Sequence, residues 1–317
     1  MRWDERVGRR IKLRDLHLLE AAARTGSLAK AAKSLGMSQP AVSYAIAEME
    51  RSLAVPLLDR TSQGVVPTAF GRALLRRSVV VFNEIRHGLN EIETLADPTR
   101  GEIRLGTPQP MLPVTTAIVD RMSRHYPNVT FHLTVESTHV LLRDLRERAI
   151  EFVISRMLAP AVDDDLSMDI LFQDELAIIA GRDSPWAKRK LVTLEQLLQG
   201  PWVLPPPDGW LHPLLNRAFG AKGLEVPRAA VSTLSTHAVS MLVARGPFLT
   251  VHPETMLRVA TEHRLLCALP VSLRETRTPV GLISLRHHTL SPTAKVFAVT
   301  AREVVKELIG PQRVRRH

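Results

Sequence analysis

The sequence predicts a chain of two unlike parts: a small helical domain with a β-hairpin, and a larger α/β domain joined to it by one long helix. Three observations lead to this fold class. A tight helix-turn-helix pattern lies within residues 27–53, an apolar stripe runs without proline from 68 to 96, and strand and helix patterns alternate after residue 101. A length of 317 residues also exceeds what one ordinary hydrophobic core accommodates.

The composition limits the kind of partner that the protein binds and the cellular compartment in which it works. Apolar residues make up 45% of the chain and charged residues 23%, which favours folded domains over disorder. The net charge of +10 suits an anionic partner, either nucleic acid or a membrane surface, although a merely basic protein would show the same charge. The single cysteine, Cys267, excludes an intrachain disulfide and favours a reducing compartment. No secretory signal or membrane-spanning apolar run is present, so we expect a soluble, cytoplasmic protein without a membrane partner.

Three short helices are predicted in the N-terminal third. Gly26 ends the first helix, Ser27 caps the second, and Gly36 ends the second. Ser38 caps the third helix, whose first turn accepts Pro40 because the missing N–H would be unpaired there anyway. The apolar positions of the second and third helices are Leu28, Ala31, Ala32 and Leu35, then Val42, Ile46, Met49 and Leu53. Because so short a turn joins these two helices, the sequence predicts a steep crossing angle and a helix-turn-helix.

The face of the third helix opposite its core carries small or hydrogen-bonding residues. They are Gln39, Ser43, Tyr44 and Ala47, where a face meant only for solvent more often carries Glu and Lys. Glutamine can pair with adenine in a major groove, and Ser and Tyr can reach bases or phosphates. A small helical bundle with a polar face is the alternative, since tight helical hairpins also occur in domains that do not bind DNA.

A β-hairpin is predicted directly after the third helix. Residues 57–60 and 65–67 have the pattern of short strands, joined by the turn Thr61-Ser62-Gln63-Gly64. A hairpin in this position forms a wing, and Arg60 at its base can contact phosphate or a minor groove. The wing therefore favours DNA binding over the bundle alternative.

The segment SLAKAAKSLGMSQPAVSYAIAEMERSLAVPLLDRTSQGVVPTAFG resembles the DNA-binding domain of LysR-type transcriptional regulators. The Ala-Ala pair, the Ser-Gln-Pro-Ala-x-Ser opening, the Leu-x-x-Arg before the wing and the Thr-x-x-Gly after it match in order and spacing. Two positions depart from the family pattern, with Ala54 where Gly is usual and Leu58 where Phe is usual. Pattern and resemblance together imply double-stranded promoter DNA as a partner, contacted by Ser27, Ser38, Gln39, Pro40, Ser43, Tyr44, Arg60 and Thr68.

One long helix is predicted over residues 68–96. Its apolar positions, at helical spacing, are Leu74, Val81, Phe82, Ile85, Leu89, Ile92 and Leu95. This stripe must pack on its own domain or pair with a second copy, and similar proteins use the helix to dimerise. The resemblance thus implies a homo-oligomer, a tetramer assembled as a dimer of dimers. We expect a winged helix-turn-helix DNA-binding domain over 1–67, a linker and dimerisation helix over 68–97, and an effector-binding domain over 98–317.

Strand and helix patterns alternate after Gly101. Predicted strands at 102–107, 129–136 and 152–155 enclose two helices, and the alternation continues to a last helix over 291–308. The βαβαβ order favours a parallel sheet with helices on its faces.

The same region is similar, more loosely, to the effector domain of LysR-type regulators. The similarity lies in GEIRLGT, HYPNVTFHL and PWVLPPPDG, and that domain resembles type 2 periplasmic binding proteins. It implies two α/β lobes around a cleft, the first over about 101–171 and 276–317 and the second over about 172–275. Arg148 and Glu151 stand where a Gly and an Asp are usual in the family.

The strand ends of the two lobes define a predicted binding site. Ligands of open α/β sheets bind beyond the carboxyl ends of strands, where free N–H groups at helix starts suit an anion. This selects Thr107, Gln109, Ser137 and Thr138 in the first lobe and Pro205, Trp210, Thr233 and Ser235 in the second. The resemblance implies that Ser137-Thr138 holds an acidic group, so we expect an organic acid or a sugar-like metabolite as effector. The alternatives are ordinary helix capping by Ser and Thr, and a Trp210 that covers the hinge rather than stacking on a ring.

Enzymatic and metal-binding functions have less support. Cys267 lies in an apolar run typical of packing, the histidines lack metal-ligand spacing, and Asp163-Asp164-Asp165 is typical of a solvated loop. No GxGxxG, Walker or GxSxG pattern is present. The sequence therefore predicts no catalytic residues, no metal and no cofactor. A solute-binding protein would need export, and an architectural DNA protein would not need the α/β cleft, so the prediction is a ligand-controlled regulator.

Overall fold

The computed structural model describes residues 11–97, 100–157, 163–189, 191–209, 211–259 and 264–310. Trp210, a predicted effector contact, lies outside these ranges. The chain forms two compact units, Met1–Gly88 and Leu89–His317. Of the helices in the described ranges, none is long and apolar enough to cross a membrane.

The first unit consists of short helices, a hairpin and most of a long helix. Helix α1 spans Leu13–Thr25, α2 Leu28–Ser34 and α3 Gln39–Leu53, and α4 spans Ala69–Ala96. Strands β1 (Leu58–Thr61) and β2 (Gly64–Pro67) pair antiparallel. The elements follow the predicted order. The turn of the hairpin has two residues, Ser62 and Gln63, because Thr61 and Gly64, which were predicted as part of the turn, belong to the strands.

Caps set the ends of the first three helices as the sequence predicts. Gly26 follows α1 at φ 64, Ser27 Oγ accepts the Lys30 N–H, and Ser38 Oγ accepts the Ala41 N–H. The buried core includes Leu18, Leu19, Ala22, Ala31, Ala32, Val42, Ile46, Met49 and Leu57. The second and third helices therefore bury the faces that their apolar spacing predicts, whereas the first buries Leu18, Ala21 and Ala22 in addition to Leu19.

Two sets of contacts fix the hairpin against the helices before it. Glu50 Oε1 on α3 accepts the N–H groups of Leu57 at 2.7 Å and Leu58 at 3.1 Å. Gly64 passes so close to the end of α1 that a Cβ on it would lie 2.1 Å from the Gly26 carbonyl oxygen. Since only glycine fits this crossing, the hairpin is held in one position relative to α3.

Two residues with side chains adopt a left-handed backbone in the described part of the chain. They are Ala54, at φ 57 after α3, and Arg148, at φ 60 in the second unit. Both stand at positions where the resembling family usually has glycine. A left-handed conformation costs a residue with a Cβ about 1–2 kcal/mol. The replacement of glycine at these two positions therefore costs conformational free energy in the folded backbone.

The second unit contains two five-stranded sheets. Across the first sheet the order is β4 (Asn128–Val135), β3 (Arg100–Thr107), β5 (Phe152–Arg156), β12 (Thr278–Leu285) and β6 (Leu166–Asp174). Across the second it is β11 (Leu266–Ala268), β7 (Leu176–Gly181), β10 (Leu249–Pro253), β8 (Trp202–Leu204) and β9 (Ala229–Ser232). We call the first sheet with its helices lobe I and the second lobe II.

Helices cover both sheets. They are α5 (Leu112–His125), α6 (Thr138–Arg146), α7 (Leu194–Leu197), α8 (His212–Gly220), α9 (Thr236–Arg245), α10 (Glu254–Val259) and α11 (Pro292–Ile309), with 3-10 turns at Gln109–Met111 and Arg274–Thr276. One buried core centres on Ile118, Phe152 and Phe297, and another on Trp202 and Phe219. Each lobe thus has its own core, as two α/β layers require.

The parallel pairing predicted for the βαβαβ segment is confirmed, and each sheet as a whole is mixed. β3 pairs parallel with β4 and β5, whereas β12 runs antiparallel to β5 and β6, and β7 runs antiparallel to β10 and β11. The chain leaves the first sheet after Asp174 and returns to it at Thr278, so β12 enters from the other lobe and in the other direction. The sequence pattern does not predict β6, β10 or β11, and the predicted domain and lobe limits stay predictions.

Candidate DNA-reading face and candidate effector cavity

Helix α3 presents an exposed polar face in the first unit. Gln39, Pro40 and Tyr44 are exposed, Tyr44 to 67%, and Ser43 is half-buried beside them. Gln39, Ser43 and Tyr44 form no side-chain hydrogen bond with the residues that the structure describes. Because they are spaced along one side of the helix, their polar groups are open together to a partner such as the edge of a base pair.

Three further predicted DNA contacts lie at the borders of this face. Ser27 and Ser38 cap α2 and α3, with their hydroxyl oxygens each 3.4 Å from the nitrogens of Lys30 and Ala41. Arg60 lies exposed on β1, and within the described ranges no carboxylate pairs with it. The hydroxyls are therefore engaged in capping, while the Arg60 guanidinium is available to an anion.

Thr68 is placed differently from the other predicted DNA contacts. The residue is buried, its hydroxyl donates to Pro56 O at 2.7 Å, and the same oxygen accepts the Gly71 N–H at 2.9 Å. These bonds tie the start of α4 to the chain ahead of the hairpin. A hydrogen bond from this hydroxyl to a phosphate would require it to give up the bond to Pro56 O. Thr68 therefore has a structural role here, and its DNA contact stays a prediction.

A cavity of about 650 Å³ lies between lobe I and lobe II. The predicted effector contacts that line it are Gln109, Ser137 and Thr138 from lobe I, and Pro205, Thr233 and Ser235 from lobe II. They lie on the turns that follow strands, as the strand-end rule expects for both lobes. The volume suits a ligand of metabolite size.

Thr107, the remaining described member of the predicted effector set, does not line this cavity. The residue is fully buried at the end of β3, where its hydroxyl donates to Ile154 O at 3.0 Å and accepts a hydrogen bond from Thr115 at 2.9 Å. The prediction placed it in the site because it ends a strand. Its side chain instead bonds β3 to its neighbour β5 and to α5, outside the cavity, so its contact with an effector stays a prediction without support from this geometry.

The cavity also has lining residues that the sequence reasoning missed. Ser155 and Arg156 end β5, Thr236 begins α9, and Thr250 and His252 lie on β10. The strand-end rule applied to β5 would have found the first two. The β10 residues carried no such signal, because the local pattern does not predict that strand.

The hydroxyl groups of the cavity are mostly bonded within the protein. Thr138 Oγ1 lies 2.8 Å from Ser155 Oγ across the start of α6 and the end of β5. Thr233 Oγ1 accepts the Ser235 N–H at 3.1 Å, and Thr250 Oγ1 donates to a backbone oxygen of β8 at 2.8 Å. These bonds hold the lining in a fixed shape before any ligand arrives.

A buried ion pair stands behind the cavity, where the chain crosses between lobes. Arg156 Nη2 lies 2.9 Å from Asp174 Oδ2, and both side chains are almost completely buried. Arg156 Nη1 donates to Thr278 Oγ1 at 2.8 Å, and Asp174 Oδ1 accepts the Thr255 N–H at 3.3 Å. Burial raises the pKa of Asp174, and the adjacent Arg156 guanidinium opposes that shift. The pair joins residues from both crossing strands and from lobe II.

The rest of the lining is largely apolar. It includes Met111, Leu142, Met157, Leu211, Val239 and Val251. Arg156 is the single arginine or lysine among the described lining residues, and its charge is already paired with Asp174. A ligand's acidic group would therefore rely on N–H and hydroxyl groups, while its hydrocarbon part would meet the apolar wall.

The cysteine and the aspartate cluster, which the sequence raised as possible chemical groups, both contact other parts of the protein. Cys267 is half-buried on β11 with Sγ 3.7 Å from Ala180 O, and burial raises the pKa of its thiol. Arg146 forms ion pairs with both Asp163 and Asp165, so these exposed carboxylates share one guanidinium in addition to their contact with solvent. Over the described ranges, no three His, Cys, Asp or Glu side chains are grouped so that they could hold a metal ion.

Two family models match the chain. The model described as "Bacterial regulatory helix-turn-helix protein, lysR family" matches residues 13–72, and the "LysR substrate binding domain" matches residues 96–306. The first covers the three helices and the hairpin, and the second covers both lobes.

Individual relatives agree with these matches. The HTH-type transcriptional regulator GbpR of Azospirillum brasilense is 25% identical over 295 residues, which cover 92% of this chain and 86% of that protein. YdcI of Escherichia coli K12, an uncharacterised HTH-type transcriptional regulator, is also 25% identical over 295 residues, covering 93% of this chain and 96% of that protein.

Solved structures show the same fold. Full-length CbnR complexed with its target DNA has a TM-score of 0.72 at 20% identity, covering 93% of this chain and 100% of that one. A full-length OxyR variant from Pseudomonas aeruginosa has a TM-score of 0.63 at 17% identity, covering 93% of this chain and 95% of that one. Since the substrate-domain model alone matches more than half of the residues, the chain belongs to the LysR family of transcriptional regulators.

Proposed function

We propose that the exposed face of α3 reads promoter DNA and that a small molecule bound between the lobes controls the outcome. The observation that carries the first half is the open polar face of Gln39, Ser43 and Tyr44 on a helix braced by the hairpin. A helix that enters a major groove needs such unpaired groups, and a rigid support that fixes its angle. The DNA in the CbnR complex supports this assignment by analogy with a chain of the same fold.

Arg60 and the net charge of +10 supply the part of the affinity that does not depend on sequence. A guanidinium on the hairpin contacts phosphate or the minor groove beside the helix, and each such contact releases counterions from the duplex. We assign residues 1–67 to this DNA-binding domain, 68–97 to the linker and dimerisation helix, and 98–317 to the effector-binding domain.

The long helix α4 supports a homo-oligomer. Leu89 is 63% exposed, Ile92 65% and Leu95 69%, on a helix that also exposes Ile85 and Phe70. So many large apolar side chains on one helix favour burial against a second copy over exposure to water. We propose a tetramer, assembled as a dimer of dimers in which α4 forms one contact.

The effector occupies the 650 Å³ cavity, and an organic acid with an apolar part fits the lining best. Ser137 forms no cap bond in α6, so its hydroxyl is open to an acidic group beside Thr138. A sugar-like metabolite is the second candidate, favoured by the number of hydroxyls around the cavity, although several of them are already bonded internally. The regulator acts in the cytoplasm, where promoter DNA is, and needs no catalytic step.

Sequencing the genomic DNA fragments that co-purify with the full chain tests the function. A sequence-specific regulator enriches a small set of fragments that share one short motif, and a thermal-shift screen of small acids and sugars then identifies the ligands that stabilise the chain. Fragments without a shared motif would contradict sequence-specific reading. A screen in which no acid or sugar stabilises the chain would contradict the effector half alone.

A further inference from the structure

One hydrogen bond crosses the effector cleft directly. Gln109 Oε1 accepts the Thr236 N–H at 2.9 Å, although the two residues are 127 positions apart. Gln109 begins the 3-10 turn after β3 in lobe I, and Thr236 is the first residue of α9 in lobe II. The bond therefore joins the two lobes at the edge of the proposed effector cavity.

The local backbone explains why the Gln109 amide lies there. The first N–H groups of a helix have no partner within the helix. At the start of α9, Ser235 Oγ accepts the Ala238 N–H at 3.2 Å, and Thr233 Oγ1 accepts the Ser235 N–H at 3.1 Å. Neither of these side chains bonds the Thr236 N–H, and the oxygen that reaches it belongs to the opposite lobe.

The bond also separates two spaces. Besides the effector cavity, a second cavity of about 750 Å³ lies between α5 of lobe I and α9 of lobe II. Among the described residues, Gln109 and Thr236 are the two that line both cavities. The two cavities thus meet at this hydrogen bond, and separating the lobes here would open one into the other.

We propose that Gln109 is a latch that holds the effector cleft closed along this edge before any ligand binds. The inference deepens the proposed function, because it rests on the cavity being the effector site. The effector then meets lobes that are already in contact, and any rearrangement that separates them must break this bond. A ligand changes the arrangement only through its different affinity for the latched and unlatched forms, so the latch sets the ratio on which the ligand acts.

Substitutions at Gln109 can remove the hydrogen bond without changing the size of the side chain. Gln109→Met keeps the length of the side chain and removes the acceptor, whereas Gln109→Glu keeps an acceptor at a helix start that favours negative charge. Gln199→Met, at an exposed glutamine outside both cavities, is the matched control. Losing one such bond lowers the ratio of latched to unlatched molecules about three- to tenfold.

The test is a distance measurement by pulsed electron paramagnetic resonance on the full chain without ligand or DNA. Spin labels are attached at Arg124→Cys in lobe I and Lys222→Cys in lobe II, both exposed, in a Cys267→Ser background. Labelled chains are mixed with an excess of unlabelled chains, so that only distances within one chain are seen. Gln109→Ala, a smaller change at the same exposed position, replaces Gln109→Met if the latter fails to fold.

The expected result is a narrow distance distribution for the unmodified chain, for Gln109→Glu and for the Gln199→Met control, and a broader one reaching longer distances for Gln109→Met. An unchanged distribution in Gln109→Met would overturn the latch. Broadening in Gln109→Glu equal to that in Gln109→Met would overturn it too, because the acceptor would then be irrelevant. Neither result bears on whether the cavity binds an effector or α3 binds DNA, so the proposed function is tested separately.

Discussion

The proposed DNA-reading face and the effector cavity handle polar groups in opposite ways. On α3, Gln39 and Tyr44 are exposed, and within the described part of the chain their side chains form no hydrogen bond. In the cavity, the hydroxyls of Thr138, Thr233 and Thr250 are bonded within the protein. A face that meets a large polar surface leaves its groups open, whereas a cavity for a small ligand must keep its own shape when empty.

The two regions also differ in what supports them. The α3 face rests on a small apolar core and on the Glu50 contacts to the hairpin. The cavity rests on a buried ion pair at the lobe crossing, Arg156 with Asp174. Substitutions that act on one support and leave the other intact show whether the two regions are independent.

The largest effect is expected from Asp174→Ala. It leaves the buried Arg156 guanidinium without its partner, and such a change costs about 3–5 kcal/mol of unfolding free energy. Because the pair lies in the second unit, urea denaturation should show a weakened transition for the lobes, while DNA binding by the first unit persists at low denaturant. Arg156→Met combined with Asp174→Leu, which removes both charges, should recover much of the loss. A loss below about 1 kcal/mol in Asp174→Ala would show that the pair does not support the cavity.

Leu89→Glu tests whether the exposed apolar side chains of α4 pack against a second copy of the chain. It places a charge on a position whose apolar neighbours Ile85 and Ile92 are also exposed on the isolated chain. If these residues meet a second copy, the unpaired charge costs about 2–4 kcal/mol in the interface and the assembly splits. Sedimentation velocity measures the result, with Glu91→Lys, an exposed charge change on the same helix, as the control. An unmodified chain that sediments as a monomer would contradict the oligomer outright.

Glu151 gives the second unit a pH-dependent stability. Burial, and next the nearby Glu102 carboxylate, raise the pKa of Glu151 to about 7 from its ordinary value of 4.5. Between pH 4.5 and about pH 7, the carboxyl of Glu151 is protonated in the folded state and ionised in the unfolded state. Its stabilising contribution is therefore fully present at low pH and is lost as the pH rises through about 7. Relative to the unmodified chain, Glu151→Gln should gain on the order of 1–3 kcal/mol between about pH 5 and about pH 8.

The measurement for Glu151 is urea unfolding at a series of pH values. Glu303→Gln, an exposed carboxyl on α11, is the control and should leave the pH profile unchanged. Parallel profiles for the unmodified chain and Glu151→Gln would show that Glu151 titrates as an ordinary exposed carboxyl.

The smallest effect is expected from Ala54→Gly. Ala54 holds φ 57 at the end of α3, where glycine carries no Cβ penalty. The substitution should stabilise the DNA-binding unit by about 1 kcal/mol, although the unfolded chain gains freedom and offsets part of this. Thermal unfolding measures the change, and Ala47→Gly in the middle of the same helix should destabilise by a similar amount. A loss of stability in Ala54→Gly would contradict the strain at this position.

The sequence predicts the first unit well because its signals are local. Gly26, Ser27 and Ser38 set helix ends within a few residues of themselves, and the apolar spacing that predicts the second and third helices also selects their buried faces. The family resemblance marked Ala54 in this unit, and Arg148 in the second, as positions where glycine is usual, and both adopt a left-handed backbone. Thr68 was the exception, since its hydroxyl not only accepts the Gly71 N–H of the helix that follows but also donates to Pro56 O, ahead of the hairpin.

The cavity was predictable only where a strand visibly ended. Ser137, Thr138, Thr233 and Ser235 follow strands that the pattern predicts, and they line the cavity. The network around the buried ion pair is built from four separate segments, which contribute Arg156, Asp174, Thr255 and Thr278. No local sequence pattern therefore predicts it. The short strand β11 and the partly polar β6 likewise depend on neighbours that are distant in sequence.

The central claim, that exposed groups of α3 read base pairs, is tested most directly by measuring Gln39→Ala against a set of fragments that vary each base pair of the motif in turn. The unmodified chain and Gln199→Ala, the matched exposed control, should share one profile. Gln39→Ala should bind the best site about 1–3 kcal/mol more weakly and lose its preference at a single base pair per half-site, without losing its preferences elsewhere. A profile that keeps every preference, with affinity unchanged, would contradict the assignment of α3 as the reading helix.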